Sequence, residues 1–351
     1  MVPDVLLNPT HIPMRSLTLT LLTCAALLAG STQAQLQRIV LQGSGAPQVF
    51  TDLSAAVTVA QSGDRLYLSG GNFTVTGDLV LDKTLHFIGA GVHPDSTNVT
   101  GLTAIAPTGS TQVLTAAMNS SFTGIRFINV MEFGNGTTDF SPTNMVFQRC
   151  EFMSYTHLGA GSTSTFDECV FRHRFYGYGG SAVVTRCLFP FAGNATHGTI
   201  SGFSTGGLFM SNCVVLGGRL NGCDYSTARN CIFTRTSAPF YQSDGMTIVN
   251  NLLVSTALVG NMGGYTESGN ILGADPATIF VNPASDWHLL PGSPGIGMAN
   301  DGNDAGLYGT HSPYKPGNVP YNPHYSQAAI APSTDWNGAL PVQIRTAAQT
   351  H

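Results

Sequence analysis

The side chains best suited to chemistry form one short cationic and aromatic run in the middle of the chain. Arg172, His173 and Arg174 are consecutive, and Tyr176 and Tyr178 follow at alternate positions. Elimination at a uronate sugar needs a base that removes a proton and a cation that neutralises the carboxylate. Arg172, His173 and Arg174 are therefore the candidate catalytic residues. An exposed turn whose arginines pair with acids is the alternative.

The candidate substrate-binding residues are four aromatic or cationic side chains: Tyr176, Tyr178, Arg235 and Tyr241. Guanidinium groups bind carboxylates well. The run and Arg235 could therefore grip an anionic sugar together, provided that the fold places them on one face.

A short phrase recurs with a cysteine or an asparagine at the same place in each copy. The copies are QRCEF, DECVF, TRCLF, SNCVV, RNCIF, VNNLL and SGNIL, with the shared position at Cys150, Cys169, Cys187, Cys213, Cys231, Asn251 and Asn270. The intervals are 19, 18, 26, 18, 20 and 19 residues, so one copy carries an insertion. Self-similarity at such a period is typical of solenoids.

Each phrase alternates inward and outward residues, which is typical of a β-strand. Short strands repeated without regular two-residue turns favour a solenoid whose coils stack about 4.8 Å apart. The 40 residues between Leu85 and Ile125 then make two coils. The sequence predicts an all-β, parallel β-helix of about ten coils.

Two longer segments resemble secreted proteins of the pectate-lyase-like superfamily. FTDLSAAVTVAQSGDRLYLSGGNFTVTGDLVLDKTLHFIGAG (50–91) resembles their opening, and DWHLLPGSPGIGMANDGNDAGLYG (286–309) resembles their closing segment. With the repeated phrases, the resemblance covers residues 38–310 and implies a right-handed parallel β-helix. It is specific for the fold and implies no particular activity.

The chain departs from the hydrolase branch of that superfamily. The branch has two adjacent aspartates and a Gly-His-Gly phrase, whereas here His197-Gly198 follows Thr196. Glycoside hydrolysis needs a pair of carboxylates. Asp167 and Glu168 are adjacent, but alternation along a strand points them to opposite sides. A hydrolase is therefore not expected.

The two ends of the column are expected to be covered differently. A short amphipathic helix at the N-terminal end is predicted by apolar residues at helical spacing, Leu53, Ala56, Val57 and Ala60. Such a helix covers unpaired strand edges. Residues 35–310 then form the β-helix domain, and 311–351 an extended, proline-rich C-terminal tail that packs along or caps the last coil.

Residues 1–34 have the features of a signal peptide. Arg15 precedes an apolar run (16–30) that is too short to span a bilayer, and Thr32 and Ala34 fit a cleavage site. Met14 is the better start. We expect a secreted protein, extracellular or periplasmic, without a membrane span in the mature chain.

The charge balance bears on the partners. Only 9% of residues are charged and the net charge is −5. Nucleic-acid binding depends on neutralising phosphates with lysine and arginine, so no nucleic-acid partner is expected. A polysaccharide or a cell-surface glycan is the expected partner.

The repeated cysteines are expected to form an unbridged ladder. In-register Cβ atoms one coil apart lie farther from each other than a disulfide prefers, and parallel thiols cannot surround a metal tetrahedrally. Cys223 lies outside the shared position, and its state is left open. Arg149, Glu168 and Arg186 precede ladder cysteines and are expected to form a surface ladder of ion pairs.

No metal site and no cofactor are expected, with calcium as the alternative. Asn300-Asp301-Gly302-Asn303-Asp304 resembles a calcium loop. The glutamate that closes such a loop is missing. Ordinary turn chemistry of Asx residues and glycine is therefore favoured.

Three functions follow from these residues. The first is an exported β-helix protein that binds carbohydrate or cell-envelope material without an evident catalytic constellation. The second is a polysaccharide lyase, or a related carbohydrate-active enzyme, that acts on anionic polysaccharide. The third is a structural adhesin or spacer. A face with aromatic and arginine side chains favours the second, and a face of stacked asparagine, serine and threonine favours the third.

Overall fold

The described part of the chain is a stack of β-coils. The computed structural model describes residues 37–93, 101–190, 199–204, 207–315, 324–331 and 333–347, which belong to one compact unit. In these ranges, three long sheets are built almost entirely from parallel strands. The predicted all-β, parallel β-helix is confirmed. The predicted signal peptide lies outside the described residues.

The strands fall into three sheets, named A, B and C in the order in which each coil passes through them. Sheet A contains β1 Ile39–Gln42, β2 Gln48–Phe50, β3 Asp64–Leu68, β6 Leu85–Ile88, β9 Ser121–Thr123, β12 Met145–Gln148, β15 Thr163–Asp167, β18 Ser181–Thr185, β21 Leu208–Ser211, β24 Thr227–Arg229, β27 Met246–Val249 and β30 Tyr265–Ser268. Sheet B contains β4 Gly71–Val75, β7 Thr103–Pro107, β10 Arg126–Phe127, β13 Glu151–Phe152, β16 Val170–Phe171, β19 Leu188–Phe189, β22 Val214–Val215, β25 Ile232–Phe233 and β28 Leu252–Leu253. Sheet C contains β5 Leu79–Leu81, β8 Thr111–Val113, β11 Met131–Glu132, β14 Thr156–His157, β17 Phe175–Tyr176, β20 Ile200–Ser201, β23 Leu220–Asn221, β26 Phe240–Tyr241 and β29 Val259–Gly260.

The coil count agrees with the repeat, with one correction. The described residues form nine complete coils, because sheets B and C have nine strands each, and β30 begins another. The prediction of two coils between Leu85 and Ile125 is wrong. Strand β6 pairs directly with β9, so a single coil spans this stretch, and its extra residues lie between β6 and β7. The 40-residue interval therefore contains an insertion within one coil and not a second repeat.

The interior is filled by inward-pointing apolar side chains that repeat from coil to coil. On sheet A, the rings of Phe122, Phe147 and Phe166 stack with centroids 4.8 and 4.9 Å apart. On sheet B, Phe152 and Phe171 stack at 4.9 Å and Phe171 continues onto Phe189. These spacings match the separation of neighbouring strands, so each ring packs on the equivalent ring of the next coil.

The predicted cysteine ladder is confirmed at the bend from sheet A to sheet B. The backbone N–H groups of Cys169, Cys187 and Cys213 each donate to the Sγ atom of the cysteine one coil further on, at 3.3–3.4 Å. Asn251 and Asn270 continue the pattern with their Oδ1 atoms. The six cysteines of the described residues are free and buried, Cys223 included. The three accepting sulfur atoms thus satisfy backbone N–H groups, as the asparagine Oδ1 atoms do.

The N-terminal end of the column is closed by a helix and an antiparallel strand. The predicted helix is present as α1, Leu53–Val59, and it buries Leu53, Ala56 and Val57. The Asp52 side chain caps its first turn by accepting the Ala55 N–H. Strand β1 pairs antiparallel with β3, the first strand of the parallel stack, and β2 pairs with β1, so these two short strands cover the edge of the stack. Edge coverage of this kind prevents unwanted strand pairing.

The outer face of sheet B carries a second apolar row that the chain covers with its own later segment. Outward residues of five consecutive strands are buried in a cluster: Val170, Leu188, Val214, Ile232 and Leu252. Residues from 274 to 314 pack on them, including Phe280, Leu307 and Tyr314. Within this segment, a short 3-10 helix (Pro276–Thr278) precedes the antiparallel pair β31 Phe280–Asn282 and β32 Asp286–Leu289.

The covering segment runs back along the column beside the A-to-B bend, and we call residues 298–315 the strap. It contacts five successive coils, in each case through the residue before the ladder position, from Asn250 back to Glu168. Asn250 Nδ2 donates to Met298 O, and Asn212 Nδ2 to Gly309 O, at 2.7 and 3.3 Å. Further along the strap, Arg186 Nη1 donates to Ser312 O.

The prediction of a surface ladder of ion pairs is wrong, because two of its three members are buried. Arg149 and Glu168 are 0% exposed, with Arg149 Nε 3.1 Å from Glu168 Oε2. The same Glu168 oxygen accepts the Lys315 N–H at 3.0 Å. Arg186 pairs with Asp167 instead. The charges are buried because residues from far along the chain cover them, which the local pattern does not show.

Beyond residue 323, the described chain forms a hairpin. Strand β33 His324–Ile330 pairs antiparallel with β34 Val342–Ala347. The sequence predicted an extended tail here, whereas two of its segments pair as antiparallel strands.

The last described strand of sheet A is protected by polar residues at positions that elsewhere point into the core. In the register, Tyr265 and Glu267 of β30 follow Met246 and Ile248 of β27, which are fully buried. Glu267 is exposed and accepts a hydrogen bond from Asn270. A charged residue at an inward position of an edge strand discourages a further strand from pairing.

We predict that Glu267→Ile makes the protein self-associate, because an apolar inward residue extends the core pattern to an open edge. Light scattering coupled to size-exclusion chromatography measures the effect. Thr266→Ile adds the same side chain on the outward side of the same strand and is the control. Equal mass distributions for the two variants and the parent would contradict the prediction.

Candidate functional site

The outer side of sheet C has one polar or aromatic residue in register from each of seven consecutive coils. We call this series the sheet C row: Gln112, Glu132, His157, Tyr176, Ser201, Asn221 and Tyr241. The residues before them on these strands point inward and are buried, as alternation along a strand requires. Tyr176 and Tyr241, both predicted to bind substrate, therefore share one face and lie three coils apart.

Five rings cluster around the middle of this row. We call them the aromatic cluster: Tyr155, His157, His173, Tyr176 and Tyr178. Ring centroids lie 4.1 Å apart for Tyr155 and His173, and 5.3 Å apart for Tyr176 and Tyr178. His157 lies 5.4 Å from Tyr176. All five side chains are half-buried, so the rings support one another and still present a surface to solvent.

Arg174 brings a cation to the aromatic cluster. Its Nη1 donates to the Tyr176 hydroxyl oxygen at 3.0 Å. Its Nε is buried and has no hydrogen-bond partner in the described part of the chain. Burial lowers the pKa of His157 and of His173, and the Arg174 charge lowers the pKa of His173 further. A lowered pKa favours the neutral form of both imidazoles, so the charged groups beside the cluster are Arg174 and Glu132, which lies one coil before His157 in the sheet C row.

Arg172 is separated from its neighbours in the predicted catalytic run. Its Nε lies 2.7 Å from Glu151 Oε1, while Arg126 Nε lies 2.6 Å from Glu151 Oε2. Glu151 is buried on the outer side of sheet B. His173 and Arg174 thus lie at the aromatic cluster. Arg172 instead pairs with an acid, which is what the alternative interpretation of this run predicted for its arginines.

A second group on the same face contains Arg235 and Tyr241 together with two residues that the sequence analysis missed. Arg219 lies with its Cζ 4.3 Å from the centre of the Tyr241 ring. Arg235 donates to Ser237 Oγ and to Gly217 O. Asn221 occupies the sheet C row one coil before Tyr241.

The repeat contains a signal for some of the missed residues. Tyr155 and His157 precede Arg174 and Tyr176 by 19 residues each, the same interval as between the ladder cysteines. Equivalent positions one coil apart lie side by side. Arg219 has no such signal, because the 26-residue interval between Cys187 and Cys213 obscures the register before it. The nearby phrase with His197 lies outside the described residues.

Sheet A carries a groove of a different kind, which we call the sheet A groove. It is lined by hydroxyl and aromatic side chains without charge: Thr163, Thr165, Ser181, Phe209, Tyr225 and Thr227. Tyr225 is 79% exposed. The lining of the sheet A groove is thus uncharged and rich in threonine, with Arg229 over the Phe209 ring beside it, and the groove is separate from the cationic, aromatic part of sheet C.

The segment that resembled a calcium loop forms turns through its own hydrogen bonds. Asp301 accepts the Asn303 N–H at 3.1 Å, and Asp304 Oδ1 accepts the Gly297 N–H at 2.9 Å. Gly302 has φ +78°, a value that favours glycine. Within the described ranges, no group of three histidine, cysteine or acidic residues is placed to hold a metal ion.

Searches for relatives give no functional assignment. No protein-family model matches the chain, and no curated protein is significantly similar to it. Among the described residues, no helix is both long enough and apolar enough to cross a membrane.

Proposed function

We propose that this protein is exported and binds a carbohydrate along the outer face of sheet C. The observation that carries the proposal is the aromatic cluster with Arg174 beside it. Half-buried rings that are fixed by their neighbours stack on the apolar faces of sugar rings at little entropic cost. The hydroxyl groups of Tyr176 and Tyr178 and the guanidinium of Arg174 can bind sugar hydroxyls.

Two features of the chain support export and this ligand class. Residues 1–34 resemble a signal peptide, and the opening and closing segments resemble secreted β-helix proteins of the pectate-lyase-like superfamily. The sheet C row also repeats at the coil spacing of about 4.8 Å. A ligand that is itself a linear repeat, such as a polysaccharide, can contact several coils in turn.

Binding is favoured over elimination by the environment of Arg172. In the lyase hypothesis, the consecutive arginines supply the base and the neutralising cation. Arg172 is bound to a buried carboxylate that also holds Arg126, so its charge is offset before any substrate arrives. A spacer without a ligand would not need the cationic, aromatic face of sheet C. The uncharged lining of the sheet A groove provides a comparison within the same protein.

We predict that Tyr176→Ala weakens glycan binding by about tenfold or more, because truncating an aromatic residue at the centre of an interface typically costs about 2 kcal/mol. Affinity electrophoresis in gels containing pectate, alginate, chondroitin sulfate or dextran identifies a ligand. Titration calorimetry then gives its Kd. Tyr225→Ala removes the same side chain from the sheet A groove and is the matched control.

Three outcomes of this experiment are distinct. Loss of binding in Tyr176→Ala alone supports the proposal. Equal loss in Tyr225→Ala, or no retardation of the folded parent on any polymer, overturns it. Unsaturated uronate products that disappear in Arg174→Ala would replace simple binding by lyase activity.

A further inference from the structure

We propose that the glycan bound by sheet C is acidic and that its carboxylate or sulfate group is held by Arg219. The inference rests on the proposed function and names the chemical class of the ligand. It is carried by the second group of side chains on this face, two coils beyond the aromatic cluster.

Arg219 is a buried cation to which the described residues supply no counter-charge. The residue is 8% exposed, and its Nε atom has no hydrogen-bond partner in the described part of the chain. None of the ion pairs found among the described residues involves it. A buried charge is costly unless it is paired. The Tyr241 ring beneath the guanidinium offsets part of this cost.

A second cation increases the demand for an anion. Burial lowers the pKa of Arg219, and the nearby charge of Arg235 lowers it further. Within the described ranges, Arg235 donates to two neutral oxygens, Ser237 Oγ and Gly217 O. Since no acid among the described residues pairs with either guanidinium, an anion bound at Arg219 also gains attraction from the charge of Arg235.

Asn221 adds a complementary acceptor. Its Oδ1 atom is buried and has no hydrogen-bond partner in the described ranges. A sugar hydroxyl can donate to this oxygen while the acidic group of the same or the next sugar accepts from Arg219. The pair therefore matches an acidic sugar better than sulfate or chloride, which have no hydrogen-bond donor.

The position of the group fits one continuous ligand. Tyr176 and Asn221 are in the same row, separated by two coils, or about 10 Å at the strand spacing. A polysaccharide that stacks on the aromatic cluster and runs along the column reaches Arg219 without leaving sheet C. Tyr241, one coil further, continues the same path.

The test compares an acidic ligand with its neutral counterpart. The probes are an oligogalacturonate of defined length, its methyl ester, and a heparin oligosaccharide that supplies sulfate groups. Arg219→Met keeps the apolar stem over Tyr241 and removes the charge. Arg172→Met makes the same charge change at an arginine that Glu151 already neutralises, and it is the control.

We expect the parent to bind an acidic probe at least about tenfold more tightly than the methyl ester. Arg219→Met should weaken acidic binding by roughly 10- to 100-fold, the range of a lost charge-assisted hydrogen bond, and should leave the ester unchanged. Arg172→Met should stay near the parent. Which acidic probe binds more tightly distinguishes carboxylate from sulfate.

Two results would overturn the inference while leaving the proposed function intact. One is equal affinity of the parent for the oligogalacturonate and its ester, with the heparin oligosaccharide no tighter. The other is parent-like acidic binding by folded Arg219→Met while Tyr176→Ala binds weakly. Absence of binding to every probe would overturn both proposals. The parent's preference between the two galacturonates is decisive even if Arg219→Met does not fold.

Discussion

Replacing Glu168 by glutamine should destabilise the protein by about 3 kcal/mol or more, because it removes the negative charge from a fully buried ion pair. Glu168 Oε2 lies 3.1 Å from Arg149 Nε and accepts the Lys315 N–H at 3.0 Å. The charge of Arg149 then stays in the interior without the carboxylate that now faces it. Denaturant unfolding followed by circular dichroism measures the loss.

A double variant separates the charge from the packing. Arg149→Met with Glu168→Leu removes both charges and keeps apolar bulk, and it should be more stable than Glu168→Gln alone. Hydrogen exchange should also show faster exchange of the Lys315 amide in Glu168→Gln, since that amide donates to the mutated group. Surface substitutions usually change the free energy of unfolding by no more than about 0.5 kcal/mol. A change of that size or less in Glu168→Gln would contradict the burial of this ion pair under the strap.

Phe147→Ala should cost about 3–5 kcal/mol, the range for truncating a buried phenylalanine. Its ring stacks on Phe122 and Phe166 at 4.8 and 4.9 Å, and it also contacts the ring of Phe152 edge-on. Removing the ring leaves a gap in the middle of the column, where neighbouring coils are held in place by their own strand pairing. Thermal or denaturant unfolding measures the effect.

The neighbouring residue provides the control for that variant. Val146 lies on the same strand, points outward and is 42% exposed. Val146→Ala should therefore change the free energy of unfolding by much less than Phe147→Ala. Similar losses in the two variants would show that the coil interior is not the source of stability at this level of the column.

The sequence permits the coils to be predicted because their side chains repeat at nearly constant intervals. Cys150, Cys169 and Cys187 mark the same bend, and the Phe two residues after each of them marks an inward position of sheet B. A repeat of this kind depends only on contacts between adjacent coils. It fails where an insertion lengthens a coil, as between β6 and β7.

The burial of Arg149 and Glu168 has a different physical origin. Both residues adopt φ +53° at the bend from sheet A to sheet B, a conformation more usual for glycine or asparagine. Lys315, whose N–H donates to Glu168, lies 147 residues further along the chain. No local pattern encodes which outer face a distant segment will cover, and alternation alone places these charges in solvent.

The candidate site is only partly predictable from the sequence. Arg174, Tyr176 and Tyr178 are recognisable from the sequence because they occupy alternate positions on either side of the inward Phe175. Whether Arg172 belongs with them depends on Glu151, whose position one coil away becomes an ion pair only in the folded column. The register of Arg219 depends on an insertion, and a shift of one residue would turn its side chain to the other side of the strand.

The most direct test of the carbohydrate-binding face is a crystal structure of the protein with the oligosaccharide that binds most tightly. The account predicts sugar rings on the outer face of sheet C, stacked against Tyr176 and continuing past Asn221 towards Tyr241. Sugar bound in the sheet A groove, with the aromatic cluster empty at saturating ligand, would contradict it.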